Sequence, residues 1–304
     1  MAFDAQYRRQ VALLLRVLPL VAEEACFALK GGTAINLFVR DLPRLSVDID
    51  LTYLPVEPRP KSLAAIDAAM KRIAQAIRTA IRGSTVAMAR VEGTVSKLTV
   101  RANGAQTKIE VTPVLRGTVY EPEIRAVTDA VQEQFGFAEI QVVSFADLYA
   151  GKLVAALDRQ HPRDLFDVRD LLANEGITDE LRRAFVVYMI SHDRPMSEVL
   201  RPTLKALDGE YAQGFDGMTE TPIPLEALSA TRDQLIAQIV DGMPQEHRDF
   251  LISFERGEPD WILLGLPGAA DLPAVKWRQL NLDKLTGEKR TALVTALQGA
   301  LRKR

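Results

Sequence analysis

The period of the hydrophobic pattern changes repeatedly along the chain, and each change marks an element. Val11, Leu14, Leu15 and Leu18 follow the three-four spacing of one helix face and predict an amphipathic helix packing on the first strand. "CFALK", Cys26 to Lys30, is a short apolar run stopped by Gly31 and Gly32, which reads as a buried strand. Helical spacing returns from Thr33 to Arg40, through Ala34, Leu37 and Phe38. "SVDIDLTYL", Ser46 to Leu54, alternates with period two. Such a strand carries Asp48, Asp50 and Thr52 on one face and Val47, Ile49 and Leu51 on the other.

The proline-rich "LPVEPRPKS" leads into an Ala-rich helix from about Leu63 to Ile81. Two strands follow, Ser96 to Arg101 and Thr107 to Thr112, and the Asn103-Gly104 pair between them predicts a hairpin because both residues tolerate positive φ. On the second arm Lys108, Glu110 and Thr112 share a face. If this hairpin pairs beside the 46–54 strand, Asp48, Asp50 and Glu110 look toward the same cleft. From Ser144 the pattern turns helical. "SFADLYAGKLVAALDRQHPRDLFDVRDLLANEG" predicts two helices, the first capped by Ser144 with Asp147 in its first turn. The second begins at Pro162 and ends by Gly176. The rest alternates helical runs with Pro/Gly loops and shows no internal repeat.

Composition narrows the class. A chain of 304 residues makes two domains or one large bilobed one. Its net charge of −2 provides no global field toward nucleic acid, so any such binding uses local patches. Cys26 is the single cysteine, which excludes a disulfide framework and a cysteine zinc site, and His161, His192 and His247 lack metal-ligand spacing. The N-terminal apolar run is broken by Arg16, Pro19, Glu23 and Glu24 and falls short of the ~20 residues of a membrane span. The expectation is a cytoplasmic protein without membrane contact.

Two aspartates two residues apart in an apolar strand need an explanation, because an uncompensated buried carboxylate is costly. A divalent cation supplies one, since Mg²⁺ takes oxygen ligands from one or two carboxylates plus a substrate's phosphates. Alone, such a pair is more often a solvated strand face, and Gly31-Gly32 alone is more often a turn. Together they are far more specific: strand, glycines with open backbone N–H groups at a helix start, then Ser-x-Asp-x-Asp on the next strand.

"GGTAINLF" followed by "RLSVDIDL" resembles the active-site signature of the nucleotidyltransferase-β superfamily, and "AGKLVAALDRQHPRDLFDV" narrows the resemblance to the AbiEii/AbiGii toxin family, also called the MenT family. In that family a lysine on one helix is followed by an Arg-Asp-x-x-Asp helix. The matched blocks span about residues 27–167, and the later "ERGEPDWILLGL" and "LPAVKWRQLNLDKL" are similar too. The resemblance implies an α+β fold: a nucleotidyltransferase-type mixed sheet with flanking helices over residues 1–140, and a mainly helical lobe over 141–304. It makes Asp48 and Asp50 metal ligands, with Glu110 as a third carboxylate. Gly31, Gly32 and Thr33 would hold the triphosphate, with Arg44 and Ser46 beside them. Lys152 becomes the cation for the β- and γ-phosphates, oriented by Asp164 or Asp167, of which one faces the cleft and the other pairs with Arg163 or Arg159. The plain alternatives are a snorkelling Lys152, a Glu110 paired with Lys108 or Lys97, and a solvated Arg44.

The activity so implied is transfer of a nucleoside monophosphate from an NTP, with Mg²⁺ or Mn²⁺, to an acceptor hydroxyl. The acceptor would be the 3′ end of tRNA, held by Arg72, Arg78, Arg82, Arg90, Arg182, Arg183 and the terminal "LRKR". The protein would be the toxin of a toxin–antitoxin or abortive-infection pair, with a cognate antitoxin as partner. Ser46 resembles a phosphorylation target, where a phosphate would repel the incoming triphosphate. Two other readings explain part of the pattern: a metal-dependent glycosyltransferase using a nucleotide sugar, and a non-catalytic nucleotide-binding module.

Overall fold

The computed structural model of the chain describes residues 5–302, so Lys303 and Arg304 of the basic terminus lie outside the described residues. Contacts divide it into two compact units, one running to Ser144 with Gly217–Thr221 added, the other comprising Phe145–Asp216 and Pro222–Arg304.

The first unit is built on a seven-stranded mixed sheet. Its strands are β1 (Phe27–Lys30), β2 (Asp48–Tyr53), β3 (Thr85–Val91), β4 (Thr94–Ala102), β5 (Ala105–Arg116), β6 (Glu123–Ala126) and β7 (Glu139–Val142), in the order β3-β4-β5-β2-β1-β7-β6. β2 lies antiparallel to β1 and parallel to β5. The predicted hairpin is the β4–β5 pair, turning at Asn103 (φ 50°) and Gly104 (φ 73°), the positive-φ pair that a tight hairpin turn needs. Pairing of β2 with β5 sets Asp48 opposite Lys108 and Asp50 opposite Glu110. The helix α1 (Ala5–Ala22) buries Val11, Leu14, Leu15 and Leu18, as its spacing predicts. It packs chiefly against β5 and β7, however, rather than against the first strand alone. A second long helix, which we number after the short one following β1, runs Arg59–Ala80; it begins at Arg59 rather than Leu63 because Pro58 caps it and Pro60 suits its first turn.

Three strands escape the sequence pattern. In β3 only Val86 is buried, so the edge strand shows no alternation between a core face and a solvent face. β6 and β7 are four residues each, too short for a period to register.

The second unit is helical. Its opening helices run Phe145–Arg159, Pro162–Ala173 and Asp179–Ile190. Pro162 occupies the first turn of the second of these, and the Gly176 N–H returns to the Leu171 carbonyl at 2.8 Å beyond its end. Shorter and longer helices continue to Leu301, among them Gln245–Arg256 and Gly287–Leu301. Among the described residues no helix is long and apolar enough to cross a membrane.

Candidate active site

In the first unit the candidate residues gather where β1 passes directly into a helix, α2 (Gly31–Ala34), which continues as a π-helical turn, Ile35–Val39. The glycines thus open the helix, as the strand, Gly-Gly, helix pattern predicts. Gly31 has φ 76°, and a Cβ there would lie 2.5 Å from Asp50 Oδ2. Both the conformation and the approach of the carboxylate exclude a side chain. At Gly32 a Cβ would meet Arg44 Nη2 and Ser46 Oγ, each at 2.8 Å. The two glycines thus form a bare floor beneath Asp50, Arg44 and Ser46. Substituting Gly31 by alanine is expected to cost about 1–2 kcal/mol in backbone strain and to push Asp50 off its position, seen as a lowered melting temperature together with lost nucleotide transfer.

Thr33 is fully buried, and its hydroxyl donates to the Asp48 carbonyl at 2.6 Å and shares a hydrogen bond with Ser46 Oγ at 3.1 Å. That hydroxyl ties the helix to the aspartate strand, so backbone N–H is what Thr33 offers a phosphate. Asn36, which the motif reading passes over, performs the same tethering on the other side. Fully buried, it donates to the Gly32 carbonyl at 2.8 Å and accepts from the Arg44 N–H at 3.3 Å. Arg44 is only 3 % exposed and donates through Nη1 to the Leu45 carbonyl at 2.9 Å. It is no solvated loop residue.

Asp48 and Asp50 are half-buried on one face of β2. Lys30 stands opposite Asp50 in the β1–β2 register. Burial pushes its ammonium below the usual lysine range, and the Asp50 carboxylate opposes that shift. Lys30 is a second residue missed from sequence; its signal was a lysine immediately before Gly-Gly, at the end of an otherwise apolar strand. Glu110 shares the sheet face but pairs with Lys97 at 2.7 Å. Among the described residues no three His, Cys, Asp or Glu side chains are grouped closely enough to hold a metal. Asp48 and Asp50 set hard oxygens on one strand face, beside a floor that a Cβ would fill, a donor chemistry that suits Mg²⁺ or Mn²⁺.

The second unit holds the other cluster. Lys152, 8 % exposed, reaches Asp164 Oδ1 at 2.8 Å and Asp167 Oδ2 at 3.0 Å. Arg159 Nη2 contacts Asp164 Oδ2 at 2.8 Å. Two cations and two carboxylates thus compensate one another: Lys152, Asp164 and Asp167 are buried, and Arg159 reaches Asp164 from an exposed position. Both aspartates converge on Lys152, because residues three apart share a helix face, and Asp164 also makes the expected pair with Arg159. Arg159, not Arg163, supplies the further cation, and Lys152 does not snorkel.

The arginines proposed to hold RNA are mostly engaged within the fold. Arg72 makes a two-pronged contact with Glu24 at 2.7 Å, and Arg78 donates to the Val86 carbonyl at 2.8 Å. Arg90 donates to the Gly93 carbonyl at 2.8 Å, and Arg183 binds Asp179 at 2.8 Å and the Leu264 carbonyl at 2.9 Å. Arg182 binds the Gln238 carbonyl at 3.1 Å, and burial lowers its pKa. Arg82 is exposed.

Comparison with curated proteins returns no match. Among solved structures the chain resembles MenT4, a nucleotidyltransferase toxin from Mycobacterium tuberculosis H37Rv, with a TM-score of 0.61 and 17 % identity over 97 % of this chain and 94 % of the other. That likeness is one of fold. The family model described as nucleotidyl transferase AbiEii toxin, type IV TA system, matches residues 12–278. A match over that much of the sequence shows that the chain belongs to the AbiEii family of nucleotidyltransferase toxins of type IV toxin–antitoxin systems.

Proposed function

We propose that the chain transfers a nucleoside monophosphate from an NTP to the 3′-terminal hydroxyl of tRNA, releasing pyrophosphate and blocking translation. The observation that carries the reading is the Asp50 carboxylate lying over Gly31, where backbone and acid meet without an intervening side chain. Held by Asp48 and Asp50, with Glu110 joining if it gives up Lys97, Mg²⁺ or Mn²⁺ would neutralise the phosphates and the charge growing on the leaving group. The residues of the chain do the positioning. Gly31 and Gly32 let a polyphosphate approach the backbone, and Thr33 and Asn36 fix that floor against the aspartate strand. Arg44 brings fixed positive charge beside Ser46. Lys152, held by Asp164 and Asp167, is assigned to substrate phosphates on the strength of the family's residue pattern.

Family membership decides against a nucleotide-sugar enzyme. A non-catalytic module would leave growth normal on unopposed expression. Sequencing tRNA 3′ ends after brief induction tests the acceptor: added nucleotides are expected, and unaltered ends in growth-arrested cells would contradict it. A cognate antitoxin is the partner that the system implies.

Ser46 bears on control. Its hydroxyl touches Thr33 and sits above Gly32, so a negative group there would lie on the proposed phosphate floor. Ser46→Asp is expected to abolish growth inhibition and Ser46→Ala to retain it; a fully toxic Ser46→Asp protein would remove the idea.

A further inference from the structure

Tyr53 ends β2 on the face opposite Asp48 and Asp50, and pairs in register with Arg116 at the end of β5. Arg116 is 7 % exposed, yet its Nε and Nη1 have no hydrogen-bond partner. A guanidinium stays charged, so a buried one with idle donors calls for an anion. The nearby carboxylate is Glu57, whose oxygens are taken: Oε1 accepts from the Tyr53 hydroxyl at 2.6 Å, and Oε2 pairs with Lys61 at 2.6 Å. Arg59, a like charge, adds to burial in lowering the Arg116 pKa, while Tyr53 and Glu57 oppose.

A second, independent feature converges on the same place. The 22-residue helix Arg59–Ala80 starts between Glu57 and Lys61. Its N-cap, Pro58, makes no side-chain cap hydrogen bond, and its first turn holds no acidic residue. The backbone N–H groups of Arg59 and Lys61 are thus left without intrahelical acceptors at the positive end of the helix dipole.

We propose that Arg116, together with the first turn of the Arg59–Ala80 helix, binds a phosphate group at a site separate from the aspartate face of β2. Guanidinium, ammonium and backbone N–H are donors that a tetrahedral oxyanion takes. Such a group comes either from the backbone of an RNA acceptor, which rests on the function proposed above, or from free phosphate, which does not.

The test compares full-length wild type with Arg116→Met, which keeps reach and loses charge, and with Lys61→Glu on the exposed helix start. Inorganic phosphate, at ionic strength matched with chloride, is expected to raise the melting temperature of the wild type and of neither variant. Binding of unmodified tRNA, measured across salt concentrations, distinguishes the sources. A phosphodiester at this site predicts about tenfold weaker binding by Arg116→Met at low salt and a slope of log K against log salt reduced by roughly 0.7–0.9. Phosphate protection with an unchanged slope supports the free ion. Equal phosphate protection and equal RNA slopes in wild type and Lys61→Glu overturn the proposal, whether or not Arg116→Met folds. Failure of nucleotide transfer to tRNA leaves the phosphate arm standing, so the two claims fall separately.

Discussion

Asp48→Ala is expected to abolish growth inhibition and to lower nucleotide transfer by on the order of 1,000-fold, ~4 kcal/mol of transition-state stabilisation. The size follows from what the side chain does. Asp48 stands on the face of β2 that carries Asp50, with Gly31 as the bare neighbour of that second acid. Removing one carboxylate halves the hard-oxygen donor set on which charge neutralisation depends. Folding should hardly notice. The Asp48 contact made by Thr33 is to the backbone carbonyl, which alanine keeps, and the side chain is only half-buried. Stability within about 1 kcal/mol of wild type is therefore expected for the variant. Full toxicity of a folded Asp48→Ala protein would eliminate the mechanism.

Lys152→Ala is expected to abolish growth inhibition too, but with a large stability loss beside it. Lys152 is the cation shared by Asp164 and the fully buried Asp167. Without it, Arg159 still reaches Asp164, while the fully buried Asp167 loses the cation that stands 3.0 Å from its Oδ2. Breaking such a network from one side costs about 3–5 kcal/mol, a large share of the roughly 5–15 kcal/mol that holds a domain together. Urea denaturation reads the effect directly. A loss below about 1 kcal/mol would mean that the cluster behaves as a solvated surface pair. The double variant Lys152→Met/Asp167→Asn should recover stability without recovering transfer, which separates the fold from the chemistry.

Much of this site was legible because its parts follow strict local rules. Period two in "SVDIDLTYL" fixed which residues share a face, and Asn103-Gly104 fixed the hairpin that brings Glu110 opposite Asp50. The Gly-Gly pair announced a close approach but not its partner: only the fold reveals that Gly31 yields to Asp50 and Gly32 to Arg44 and Ser46. Asn36 and Lys30 were hidden for a related reason. Each acts through a neighbour outside its own element, Asn36 on Arg44 and Lys30 across from Asp50, so even the lysine that ends an apolar strand does not reveal its partner. Charge partners were the least legible. Arginines that look available for RNA prove to hold carbonyls and carboxylates of the fold, since a long cationic side chain carries no local sign of where it ends. Edge strand β3 was invisible because burial, and not propensity, writes the alternating pattern, and β3 buries little.

The central claim is that Asp48 and Asp50 jointly hold a divalent ion against the phosphates of an NTP. Titrating Mn²⁺ into the protein with a non-hydrolysable NTP analogue, followed by electron paramagnetic resonance, tests it without relying on turnover. Tight nucleotide-dependent Mn²⁺ binding is predicted for the wild type and its loss for Asp48→Ala and Asp50→Ala; equal binding by all three proteins would contradict the account.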